Sequence, residues 1–148
     1  MPRTVTNNAN LGIGQLSGTL TDLEVDHDLL LAGAVLQETG GVLTSDGTEQ
    51  ELFVRENPDA TFDPRVVYIS LDYMVALDTT NIRVYYRIAH GGGWLQHDYA
   101  QYVGIDGGLA NGNKVISIDL LPNRHGVRVT LEQTVGSADF AWEAIEEA

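Results

Sequence analysis

The strongest pattern along the chain is a period of two in its second half. Between Asn81 and Ala89, Ile82, Val84, Tyr86 and Ile88 alternate with Arg83, Tyr85 and Arg87. Between Gly126 and Thr134, Val127, Val129, Leu131 and Gln133 alternate with Arg128, Thr130, Glu132 and Thr134. Successive side chains of an extended strand point to opposite faces, so both segments predict half-buried strands with one packed and one wet face. A helix would repeat its apolar positions every three or four residues, and neither segment does. Arg65 to Leu77 is a longer strand candidate. Val67, Ile69, Leu71, Tyr73, Val75 and Leu77 form one face, and Val66, Tyr68 and Met74 make the other partly apolar, which suits a central strand or an oligomer contact. Lys114 to Leu120 predicts a strand with Ile116, Ile118 and Leu120 inward. In the last segment Phe140, Trp142 and Ala144 alternate with Ala141, Glu143 and Ile145. This reads as a closing strand, although its Ala and Glu content leaves a short helix open.

Turn residues separate these runs. Asp78-Thr79-Thr80-Asn81 between the two strongest strand candidates predicts a hairpin. Gly91-Gly92-Gly93, Asp106-Gly107-Gly108, Asn111-Gly112-Asn113 and Pro122-Asn123 mark further turns. In the first sixty residues, Gln15 to Val25 alternates with a bulge near Thr21-Asp22, Leu29 to Gln37 suits a buried strand or a short helix, and Glu51 to Arg55 is a short strand. Gly40-Gly41 and Ser45-Asp46-Gly47 read as turns, and Glu56 to Pro64 as an extended connection. The whole predicts an all-β fold, a β-sandwich of jelly-roll type with antiparallel strands.

A chain of 148 residues fits one domain and buries enough surface to need no staple. It has no cysteine, which excludes disulfides, thiolate metal sites and cysteine nucleophiles. Met1 to Asn10 is polar and lacks an apolar stretch of signal-peptide length, so it reads as a flexible N-terminal arm, with a single β-sandwich domain over residues 11–148. The apolar run Leu29 to Leu36 is too short to cross a bilayer, which takes ~20 residues, so no membrane partner is expected. Acidic residues outnumber Lys and Arg by 21 to 8, a net charge of -13. Such a surface repels phosphate backbones, and with Lys114 the only lysine there is no basic cluster, so nucleic acid is not an expected partner.

No catalytic signature is legible, and the chain is read as a non-enzyme without cofactor or metal. Ser17, Ser45, Ser70, Ser117 and Ser137 lie outside any Gly-x-Ser-x-Gly elbow. The glycine-rich turns lack the lysine or following helix that a phosphate site needs. Asp26 and Asp28 would flank His27 on the opposite face of a strand, which splits that ligand set. His90, His97 and His125 are a metal-site alternative if the fold brings them together. Asp46 to Glu49 and Asp106 are candidate calcium loops without EF-hand spacing, and paired carboxylates for glycoside hydrolysis would leave no spacing to read. The aromatic residues make the best case for a contact surface. Tyr85 lies on the wet face between Arg83 and Arg87, and Trp94, Tyr99 and Tyr102 cluster in the next segment. Exposed aromatics beside arginine suit a contact hot spot or a sugar-stacking platform.

Asp78 to Ile88 followed by a glycine turn, then Gly126 to Gly136 and Phe140 to Ile145, resembles the small jelly-roll-type structural proteins of tailed phages and related archaeal viruses. These include capsid decoration (cement) and minor head proteins. The resemblance spans residues 65 to 147 and rests on strand texts. It implies a virion structural protein without catalysis that forms a homo-oligomer, a trimer favoured. Its partners would be the major capsid protein or other virion proteins, after a soluble stage in the host cytoplasm. A carbohydrate-binding module using Trp94, Tyr99 and Tyr102 and a metal-dependent enzyme using His90, His97 and His125 are the alternatives.

Overall fold

The computed structural model describes residues 35–56 and 63–147. The sequence segments Met1 to Asn10, Gln15 to Val25 and His27, the start of the Leu29 to Gln37 run, and most of the Glu56 to Pro64 connection lie outside them. The described residues form strands and turns, with no helix. The strands are β1 (Leu36–Thr44), β2 (Gln50–Arg55), β3 (Asp63–Ser70), β4 (Thr79–Tyr86), β5 (Leu95–Ile105), β6 (Gly108–Leu109), β7 (Val115–Asp119), β8 (Val127–Val135) and β9 (Asp139–Glu147). They pair antiparallel in two sheets, β1-β9-β3-β7 and β2-β8-β4-β5-β6, and the apolar cluster joins the two in a β-sandwich.

The alternation decides which face is buried. Val127, Val129, Leu131 and Gln133 of β8 are buried and meet Ile82 and Val84 of β4 on the inner face. Across from them lie Val67 and Ile69 of β3, Ile116 of β7 and Phe140 and Ala144 of β9. Phe53 meets Trp142 edge-on from the other sheet, with ring centroids 6.4 Å apart. Burying a large apolar side chain stabilises by about 1.5–3 kcal/mol, so these rows dominate the packing. Polar links close the ends. The Arg55 Nε donates to Oε2 of Glu146, which is buried on the opposite sheet, at 2.7 Å. Ser45 donates to Gln133 Oε1 at 2.5 Å and accepts from the Ala138 amide at 3.0 Å.

Several expectations need correction. β3 ends at Ser70, and Leu71 to Asp78 makes turns in which Met74 N donates to Leu71 O and Asp78 N to Val75 O. The alternation continues in the text, but only Leu71 and Met74 turn inward, while Tyr73, Val75 and Leu77 are exposed. Asp78 offers the backbone a competitor to the strand ladder, accepting from Val75 N at 2.9 Å. The Asp78 to Asn81 segment is therefore no hairpin, since β3 and β4 belong to different sheets. Ile88, expected inward, lies beyond the end of β4 and is exposed. Gly40 and Gly41 are not a turn but lie within β1, where a Cβ on Gly40 would come within 2.6 Å of the Trp142 carbonyl oxygen. The turn falls after Ser45, at Gly47, with φ of +85°. The closing segment is the strand β9 and not a helix.

Candidate contact surface on the five-stranded sheet

Arg83 and Tyr85 of β4, Arg128 and Thr130 of β8 and Tyr99 of β5 share the outer face of the five-stranded sheet. Register fixes this: Arg83 stands between Thr130 and Tyr99, and Tyr85 beside Arg128. Arg87 and Trp94, from the loop joining β4 to β5, extend the row. Gly126, at φ +150°, makes room for it. A Cβ there would lie 2.9 Å from the Trp94 ring and 3.3 Å from Arg87 Cδ.

The side chains form a continuous chain of contacts. The Arg87 guanidinium lies 4.2 Å and that of Arg128 4.8 Å from the Trp94 ring centroid, and Arg128 is also 4.6 Å from the Tyr85 ring. Tyr85 donates its hydroxyl to Glu49 Oε2 at 2.6 Å, and Thr130 donates to the same oxygen at 2.5 Å. Arg83 bonds Glu132 at 2.8 Å, approaches Glu49 at 3.5 Å and stacks 5.4 Å from the Tyr99 ring. The Tyr99 hydroxyl and the Gln101 amide both donate to Asn81 Oδ1 at 3.0 Å. Glu56 pairs with Arg87 at 3.0 Å and Glu51 with Arg128 at 3.4 Å. Each of these three arginines therefore has a carboxylate partner, and the rings are held between neutralised charges.

The electrostatics centre on Glu49. Burial works to raise its pKa, but the hydroxyls of Thr130 and Tyr85, with Arg83 and Arg128, outweigh burial and hold it below the ordinary 4.5. Burial, and then the hydrogen bond to Glu49, raises the Tyr85 phenol. The hydrogen bond to Glu132 raises Arg83 further above its ordinary value. A carboxylic acid that donates protons needs its pKa pushed upward, and Glu49 is shifted the opposite way. The arrangement suits recognition: rigid aromatic and guanidinium planes with apolar bodies and polar rims.

Of the sequence-predicted contact residues, Arg83, Tyr85, Arg87, Trp94 and Tyr99 come together on this face. Tyr102 does not. Three residues from Tyr99 on one strand, it points to the inner face opposite Thr80, where burial and then Asp98 raise its phenol. Trp94, Tyr99 and Tyr102 therefore do not make one sugar-stacking platform. The histidines also scatter. His90 is exposed in the loop after β4, His97 packs edge-on against the Tyr86 ring at 5.1 Å, and the His125 amide donates to Asn123. Among the described residues no three of His, Asp and Glu converge to hold a metal ion. In the Asp46 loop the carboxylate is taken up by the amide and hydroxyl of Thr48, at 2.9 and 2.6 Å, while Glu49 turns onto the sheet. Glu49, the hub of the surface, was not singled out from the sequence as a contact residue. Its position just before β2 was the only signal, and it gained meaning once β2 was paired with β8.

No family model matches the chain, and no curated protein matches it. Solved structures that this chain is similar to include the following three. PirA superposes with a TM-score of 0.47 at 14% identity, covering 74% of this chain and 93% of that one. A protein of Bacillus endospore appendages, described as disulfide-linked pili, gives 0.47 at 15% identity over 77% of this chain and 87% of its own. A protein of infectious bursal disease virus, Gt strain, gives 0.41 at 9% identity over 78% of this chain and 33% of that one.

Proposed function

We propose that this chain is a non-catalytic structural protein of jelly-roll type that forms a homo-oligomer, a trimer, and docks on a protein shell in the manner of a capsid decoration protein. Its partner is the major capsid protein or another virion protein, its place is the virion, and it is soluble in the host cytoplasm before assembly. The observation that carries this reading is the row from Arg87 through Trp94, Arg128, Tyr85, Glu49 and Arg83 to Tyr99 on a wet face. Arg, Trp and Tyr dominate interface hot spots. Side chains already held in place lose little freedom on binding, so more of the contact energy appears as affinity. The strand order supports the jelly roll: β1-β9-β3-β7 faces β2-β8-β4-β5-β6, and every connection between successive strands except β4 to β5 and β5 to β6 crosses between the sheets, as in two Greek keys.

Light scattering of the full chain at high concentration tests the assembly claim. A trimer is expected, and a strict monomer contradicts it. A glycan array with a signal that Trp94→Ala abolishes would replace this reading with a carbohydrate-binding module.

A further inference from the structure

The two sheets are offset by one strand. On one side β1 overhangs: Gln37, Thr39 and Gly41 lie on the inner face of their sheet yet are exposed, and only Leu43 packs on the core. On the other side β5 overhangs. Asp98, Ala100 and Tyr102 lie on the inner face of the five-stranded sheet, beyond the last strand of the opposite sheet, β7. The open seam is a groove of about 250 Å³ that reaches Ile82 and Val84 and is walled by Ser117, Ile118 and Asp119. One overhang is a surplus strand, and the other is a missing one.

Both bordering edges are free among the described residues. Leu71 N donates to Lys114 O and Leu120 N to Arg65 O. This turns the backbone groups of the even-numbered residues of β7 toward β3 and those of Val115, Ser117 and Asp119 outward. Likewise Ser45 N donates to Ala138 O, so Glu38, Gly40 and Val42 of β1 turn their backbone groups away from β9. Through the order β1-β9-β3-β7 of antiparallel pairs, β1 and β7 run in opposite directions. A β1 from a second copy, laid beside β7 in the same orientation, therefore makes an antiparallel ladder. Its inner face then covers Asp98, Ala100 and Tyr102. That face brings Gln37, Thr39, Gly41 and Leu43, and no carboxylate, to Asp98. Glu38, the one charge in β1, points to the other side. Two chains of net charge -13 repel, so a contact between copies favours an uncharged strand face of this kind.

We infer that β1 of one copy adds to the β7 edge of the next, head to tail, and closes the open seam between the sheets. The inference rests on the assembly reading and supplies its geometry. A heterologous contact of this kind closes a ring when its rotation permits, three copies making a trimer.

Ser117→Pro and Val42→Pro each remove one outward N–H while leaving the ladders to β3 and β9 intact, as edge positions tolerate. Ser117→Lys and Val42→Lys, which block an edge by charge, replace them if circular dichroism shows a lost fold. In sedimentation velocity the wild-type chain is expected to oligomerise and each variant to be monomeric. Because one variant keeps the donor strand and the other the acceptor edge, their equimolar mixture is expected to form dimers that grow no further. A monomeric wild type overturns both this inference and the assembly reading. Trimers unaffected by either substitution, or a mixture that stays monomeric, overturn strand addition alone. Impaired binding of a monomeric chain to capsid shells by Ser117→Pro would assign the seam to a strand of the shell protein and overturn self-pairing.

Discussion

Replacing Glu49 with alanine probes the candidate contact surface at the carboxylate that links its side chains. The carboxylate accepts from Tyr85 at 2.6 Å and Thr130 at 2.5 Å and lies 3.5 Å from Arg83. Thr130 is buried, so its hydroxyl loses its partner where water does not easily replace it. Hydrogen bonds to charged groups contribute about 1.5–3 kcal/mol, and an orphaned buried hydroxyl costs a similar amount. Glu49 itself is solvent-exposed, so the sum is discounted, and Arg83 keeps Glu132 at 2.8 Å. The expected loss is about 2–3 kcal/mol for Glu49→Ala and about 1 kcal/mol for Glu49→Gln, which keeps an acceptor oxygen. An ordinary surface substitution stays within about 0.5 kcal/mol. Urea unfolding followed by tryptophan fluorescence measures the difference. Its pH dependence is a second check. The folded-state pKa of Glu49 lies below the ordinary 4.5, so its contribution is complete above that value and is lost as pH falls through the folded pKa. The gap between wild type and Glu49→Ala should narrow as pH falls below 4.5 and through the depressed folded-state pKa. A loss near neutral pH within the ordinary surface range, or a gap that survives acid unchanged, would refute the hub.

Phe140→Ala should cost about 3–5 kcal/mol, since the ring is fully buried between the sheets; thermal melting reads this directly. Leu77, exposed and held at φ 73°, should gain about 0.5–1 kcal/mol on Leu77→Gly, because glycine relieves the left-handed strain. A melting temperature that falls would contradict that conformation. Gly126→Ala should cost about 1–2 kcal/mol and shift Trp94 emission, since its methyl group would press on the ring at 2.9 Å. Unchanged emission would show that Trp94 does not lie on that backbone.

The legible parts of the fold were strands with one apolar and one wet face. β4, β8 and β9 announce themselves because Ile82, Val129 and Phe140 sit in rows facing a full core. β5 was not legible as a strand. Its inner face carries Asp98 at the open seam and its outer face carries Tyr99 and Gln101, so neither face is continuously apolar. β3 was overextended because the alternation of Tyr73, Val75 and Leu77 persists through turns that only the Asp78 side-chain hydrogen bond and the backbone bonds from Met74 N to Leu71 O and from Asp78 N to Val75 O reveal. The candidate surface was legible where its residues are near in sequence, as with Arg83, Tyr85 and Arg87. Glu49, Arg128 and Thr130 reach it through strand pairing across 36 to 81 residues of chain, and local pattern carries no information about sheet order. Tyr102 was misplaced for a simpler reason: without a known strand, its odd spacing from Tyr99 said nothing about faces.

On the proposed reading, the outer face of the five-stranded sheet docks on a protein shell. Co-sedimentation of the full chain with empty shells of the capsid protein that the proposal names as partner measures this directly. The Arg87→Ala/Trp94→Ala double variant, checked for an intact fold by circular dichroism, is the comparison. The wild-type chain should pellet stoichiometrically with the shells while the double variant stays in the supernatant. Equal pelleting of both proteins, or of neither, would contradict the account.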